Sequence, residues 1–139
     1  MWRMAFTLSS EDARRIIEWA QQAHPRECCG LLFGDEDRAT SAELTANVSP
    51  TPTTHFEIDP ARLIAAEKTA RRGGRAIAGY FHSHPGGPAI PSAVDVGMAA
   101  VDGRIWLITG NGEITAWRKL DDKDFVPVEL VIDTAPRAA

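Results

Sequence analysis

Helix and strand breakers punctuate this chain at short intervals: His24-Pro25, Gly34, Ser49-Pro-Thr-Pro-Thr-Thr, Asp59-Pro60, Gly73-Gly74, Pro85-Gly-Gly-Pro-Ala-Ile-Pro and Asn111-Gly112. Proline lacks an amide hydrogen and fixes φ, and glycine populates turn conformations, so each breaker ends or redirects an element. The pieces between them are short and of two kinds. Ser9 or Ser10 can cap a helix, Glu11 and Asp12 suit its positive end, and Ala13, Ile16, Ile17 and Ala20 recur at helical spacing. Residues 10–23 therefore predict an amphipathic helix, which His24-Pro25 ends. Asp59-Pro60 opens a second helix through Arg72, and Ser92 a short third one, Ala93 to about Val101.

Strand signals fill the remaining pieces. Cys28–Phe33 is an apolar run closed by Gly34, which reads as a buried strand; 35–38 is a turn, and Ala39–Val48 a more polar strand. Arg75–His84, Ile105–Thr109, Glu113–Leu120 and Phe125–Ile132 complete the set, with Asn111-Gly112 a strong hairpin signal. Ser49–Thr54 and Pro85–Pro91 read as loops. With 139 residues and no linker or repeat, the expectation is one α+β domain over residues 1–132, with 133–139 a flexible tail.

Composition narrows the function classes. Net charge is −4 and no basic run exceeds a pair such as Arg71–Arg72, which argues against a nucleic-acid partner. The N-terminus lacks a signal-peptide core, and no apolar run approaches the ~20 residues that span a bilayer, so no membrane role and a cytoplasmic location are expected. Cys28 and Cys29 are adjacent and the chain has no other cysteine, which predicts free thiols, at least one buried on a strand. His24 and His55 read as surface or structural residues. Trp2, Trp19, Trp106 and Trp117 read as core or amphipathic contacts.

The chemistry centres on His82-Ser83-His84. Residues two apart on a strand share a side, so both imidazoles can face one metal ion. Asp95, in the first turn behind Ser92, can supply a carboxylate whose direction the Ser-x-x-Asp helix start fixes. Two imidazoles and a carboxylate are the three protein ligands of many catalytic Zn²⁺ sites, with a fourth position open for water. Taken singly, each feature is ordinary: a His-x-His pair, a helix cap and a proline-rich loop.

In order and spacing together, they resemble the JAMM (MPN-plus) metallopeptidase family: a distant Glu, His-x-His, seven residues, Ser, two residues and Asp. Further similarity lies in Glu27-x-Cys29-Gly30-Leu31-Leu32-x-Gly34, Asn47, Phe56-Glu-Ile-Asp59-Pro60 and Ala78-Gly79-Tyr80-Phe81, spanning roughly residues 10–130. The resemblance implies a curved mixed β-sheet flanked by helices, a fold shared with cytidine deaminases. It also implies zinc on His82, His84 and Asp95, Glu27 as the proton carrier, and a Ser92 hydroxyl able to donate to the oxyanion. The implied activity is hydrolysis of a peptide or isopeptide bond at the flexible C-terminal tail of a ubiquitin-like or sulfur-carrier protein, after a small residue such as glycine. The tail would enter between Ser49–Phe56 and Pro85–Pro91 and add to a strand edge. The alternative is a non-catalytic MPN-type scaffold, but such proteins typically lack part of the ligand set. DNA-repair relatives carry an extra helical region for which there is no room, and a zinc deaminase would need a Pro-Cys-x-x-Cys run that is absent. No sequence feature specifies an oligomeric state.

Overall fold

The computed structural model describes residues 4–135. Its elements run β1 Ala5–Ser9, α1 Ser10–Ala23, β2 Cys29–Gly34, β3 Ala39–Thr45, α2 Pro60–Arg71, β4 Ile77–Ser83, α3 Ala93–Met98, β5 Ile105–Gly110, β6 Glu113–Lys119 and β7 Phe125–Asp133. The seven strands form one mixed sheet in the order β1-β7-β6-β5-β4-β2-β3, parallel at β1–β7 and β4–β5 and antiparallel elsewhere. The sheet curls so far that its ends meet: Thr7 bridges Arg38, and the Thr7 amide donates to the Asp37 carbonyl at 2.8 Å. The α+β class and the curved mixed sheet are thus both present.

Apolar side chains from each face of this sheet need their own cover. Phe6, Leu8, Leu32, Phe81 and Leu107 pack under α1 through Ile16, with Trp19 and Ala20 alongside. Leu31, Phe33, Ile77 and Trp106 pack with Phe56 and Ile58, which precede α2, and with Ala66 on it. β2 and β5 lie inside the sheet with both faces covered, which is why their sequences are continuous apolar runs rather than alternating ones.

Several boundaries differ from expectation. A strand, β1, precedes α1, and Ser9 is both its last residue and the cap whose hydroxyl accepts from the Asp12 amide. β2 starts one residue late, at Cys29. β3 stops at Thr45, short of Val48, where the chain leaves the sheet and Asn47 forms an isolated bridge with Ile58. β4 covers Ile77–Ser83, so His84 lies one residue past its end. α3 stops at Met98, short of Val101, where Ala99 turns extended. Asp133, assigned to the tail, belongs to β7, where it pairs with Ser9 and its carboxylate meets Arg38 at 3.0 Å. Trp2 and residues 136–139 lie outside the described residues. Among the described residues, no helix is long and apolar enough to cross a membrane.

Candidate metal centre

The end of β4 carries the first two donors. His82 is fully buried, and the His84 amide donates to the Thr109 carbonyl of β5 at 2.8 Å, carrying the parallel ladder just past the strand end. Their Nε2 atoms stand 3.0 Å apart, as expected for alternate positions on one side of an extended segment. Asp95 comes from α3. Its Oδ2 lies 3.0 Å from His84 Nε2 and its Oδ1 3.1 Å from His82 Nε2. Ser92 and Asp95 form a reciprocal capping box: the Ser92 hydroxyl accepts from the Asp95 amide at 3.1 Å, and the Ser92 amide donates to Asp95 Oδ2 at 2.9 Å. The helix start therefore aims the carboxylate at the histidines.

The donor set fits a cation. Donor atoms on a tetrahedral zinc, each about 2.0–2.1 Å from it, stand roughly 3.3 Å from one another, close to the spacings here. His84 Nδ1 lies 2.9 Å from the Pro88 carbonyl, which only accepts, so Nδ1 carries the hydrogen and Nε2 turns its lone pair toward the Asp95 carboxylate. Two acceptors 3.0 Å apart need positive charge between them, a proton or a metal ion. The titration directions agree. Burial works against a charged His84, yet contact with Asp95 and Pro88 outweighs it and raises its pKa. Burial works to raise the Asp95 carboxyl, yet hydrogen bonds from His82 and His84 hold it below the usual carboxylate range. Burial keeps His82 neutral by lowering its pKa, and its ring stacks on Phe56 at a centroid distance of 4.3 Å with Trp106 edge-on.

Glu27 lies two residues before β2. The register pairs Cys29 with His82, and Ser83, between the two histidines, locks the junction: its hydroxyl accepts from the Cys28 amide at 2.8 Å. Glu27 is 6% exposed, and its carboxyl makes no hydrogen bond among the described residues. Burial pushes it up to about 7, moderated by the nearby positive charge of His84 and reinforced by Asp95. Both cysteines are buried, and burial raises both thiols, Cys29 to about 11, so neither is poised as a nucleophile.

All five residues singled out in the sequence thus meet at one end of β4. Both loops expected to flank the site do touch it: the Glu27 amide donates to the Pro52 carbonyl at 2.7 Å, and Pro88 orients His84. Other contributors carry no local signal that gives their role here. Phe56 and Trp106 wall in His82. Lys119, buried at the end of β6, donates to the Val96 carbonyl at 2.5 Å and ties α3 to the sheet. Asn47 stood out in sequence only as part of a pattern, and its four side-chain hydrogen bonds appear only in three dimensions.

Comparison with known proteins places this arrangement. Residues 9–120 match the family described as prokaryotic homologs of the JAB domain. A desampylase of Haloferax volcanii is 35% identical over 113 residues, covering 76% of this chain and 81% of that protein. A probable TtuB-protein conjugate cleaving protease of Thermus thermophilus is 39% identical over 72 residues, 52% of this chain and 48% of that one. A solved structure from Desulfitobacterium hafniense is 30% identical, with a TM-score of 0.80 over 95% of this chain and 94% of the other.

Proposed function

The chain belongs to the family of prokaryotic JAB-domain homologs, and from that premise we propose that it is a zinc metallopeptidase that hydrolyses peptide or isopeptide bonds at the flexible C-terminal tail of a ubiquitin-like or sulfur-carrier protein. One observation carries the reading: two imidazoles and a carboxylate converge within 3.1 Å of one another, with Glu27 buried beside them. The kinship to a desampylase and to a protein-conjugate cleaving protease supports the substrate class.

His82, His84 and Asp95 would hold the zinc, which supplies a Lewis acid and a water that ionises near neutral pH. Glu27 is the mobile proton site. Its buried carboxyl, raised above the ordinary carboxylate value in the metal-free chain, can take a proton from the attacking water and release it to the departing amine nitrogen, returning to its starting state. Ser92 accepts from the Asp95 amide, so its own hydroxyl hydrogen remains available to the scissile carbonyl oxygen as negative charge builds there. Folded proteins rarely offer a peptide carbonyl except on an unstructured tail, which is the access argument for a C-terminal substrate.

Glu27→Gln tests this reading. It should keep about one zinc per chain, since no ligand changes, and lose turnover by orders of magnitude on a ubiquitin-fold protein joined through its tail to a reporter. Undiminished turnover by that variant would remove Glu27 from the chemistry.

A further inference from the structure

We propose that Asn47 is a positioning residue that fixes Glu27 against the histidines, with its side-chain amide as the hub of the 47–58 segment. The inference rests on the reading of Glu27 as the proton carrier. A primary amide can make four hydrogen bonds, two as donor and two as acceptor, and all four are made here. Asn47 Nδ2 donates to the Glu27 carbonyl at 2.9 Å and to the His55 carbonyl at 3.0 Å. Oδ1 accepts from the Ser49 amide and from the Glu57 amide, each at 3.0 Å.

These four partners are not a random set. Glu27 belongs to the strand entry that carries the base. His55 and Glu57 flank Phe56, whose ring stacks on His82. Ser49 begins the loop whose Pro52 carbonyl accepts from the Glu27 amide at 2.7 Å. The backbone of Glu27 is thus held from both sides, by Asn47 at its carbonyl and by Pro52 at its amide. No other side chain among the described residues hydrogen-bonds that backbone. The carboxylate itself makes no hydrogen bond among the described residues, so its placement depends on the backbone beneath it. β3 has already left the sheet at Thr45, so ladder bonds do not fix this stretch, and the Asn47–Ile58 bridge and the Asn47 amide take over.

A side chain with this role affects chemistry more than substrate capture, because a base displaced by about 1 Å can lower the rate on the order of a hundredfold. Asn47→Ala should therefore lower kcat roughly 10- to 100-fold with KM nearly unchanged and with about one zinc per chain retained, since the ligands are untouched. The decisive comparison repeats Asn47→Ala on the Glu27→Gln background, read as single-turnover rates with a tail-linked ubiquitin-fold reporter. A residue acting through Glu27 has no further effect once that carboxylate is gone.

Wild-type kcat in Asn47→Ala overturns the proposal, as does an equal loss on both backgrounds. Loss of zinc would place Asn47 with the ligands instead of the base, and also overturns it. Full turnover by Glu27→Gln alone strikes the base reading directly, independently of any Asn47 variant, and takes this inference with it. Where Asn47→Ala does not fold, the wild-type chain decides. Its side-chain amides belong to Asn47, Asn111, Gln21 and Gln22 alone, and the Asn47 pair should be protected from solvent exchange in NMR. Exchange of that pair at the rate of an open amide refutes the hub.

Discussion

Replacing Glu27 by Gln should change the pH dependence of stability as well as activity. Burial pushes the Glu27 carboxyl from its ordinary 4.5 to about 7 in the folded protein. Below 4.5 the group is protonated whether the chain is folded or not, and it has no effect on the balance. Between 4.5 and 7 the unfolded chain ionises while the folded chain does not, so unfolding gains and stability falls as pH rises. Above 7 the penalty is constant. At about 1.4 kcal/mol per pH unit, the wild-type chain loses about 3 kcal/mol that Glu27→Gln, which cannot ionise, keeps. The assay is urea unfolding in chelator at pH 4 and pH 8 for both proteins. The stability difference, variant minus wild type, should grow by about 3 kcal/mol between those pH values, on the order of 10 °C in melting temperature. Comparing differences removes any fixed cost of burying the Gln amide. Zinc should shrink the gap, because a divalent cation beside Glu27 stabilises its charged form. Parallel stability curves in chelator would refute the reasoning and show that the carboxylate is well solvated.

Three further outcomes follow from the same geometry. His82→Ala, His84→Ala and Asp95→Ala should each drop zinc from about one per chain to near none by elemental analysis, and full retention by any one removes that residue from the ligand set. Ser92→Ala should cost about 1 kcal/mol through the lost cap and should slow turnover less than Glu27→Gln, a ranking that steady-state kinetics checks directly. In a panel of tail peptides, Phe in place of Gly before the cut should slow hydrolysis sharply, and equal rates would show that no narrow channel precedes the metal.

Local rules locate an element when its determinants are close in sequence. α1 is such a case, since its cap, its acidic first turn and its apolar stripe all lie within Ser9–Ala23. β1 is the opposite case. Phe6 and Leu8 alternate with less buried neighbours in the strand manner, but five residues run directly into a helix with no breaker between Ser9 and Ser10. What makes this segment a strand is its partner, β7, more than a hundred residues away. Two of the overlong expectations have a similar origin. Ala99 and Ala100 are helix formers, yet α3 stops at Met98, where Ala99 adopts ψ 131° with its amide bonded to the Asp95 carbonyl. Gly97 has already weakened the last turn. β3 ends at Thr45, and beyond it the backbone of Glu27, which a longer ladder would pair, bonds instead to the Pro52 carbonyl and the Asn47 side chain.

The site divides along the same line. His82 and His84 reveal themselves by a spacing of two, and Asp95 by its distance from Ser92, because a strand and a capped helix are periodic objects whose side-chain directions can be read off the page. Glu27 has no such signature: a single carboxylate before an apolar run is ordinary, and only the antiparallel register of β2 on β4, pairing Cys29 with His82, brings it beside the two histidines. Resemblance to a family supplied what periodicity could not. The capping box shows why the legible part is so compact. A cap residue and a metal ligand both need a carboxylate held in one direction, so Asp95 satisfies the Ser92 amide and presents itself to two imidazoles with one rotamer. An Asp95→Asn side chain could still accept from the Ser92 amide while removing the charge. It should therefore leave the helix start largely intact and lose the metal, separating the two uses of a single residue: circular dichroism near wild type with zinc absent is the expected result, and zinc retained at wild-type affinity would mean that the carboxylate's charge is not what the cation requires.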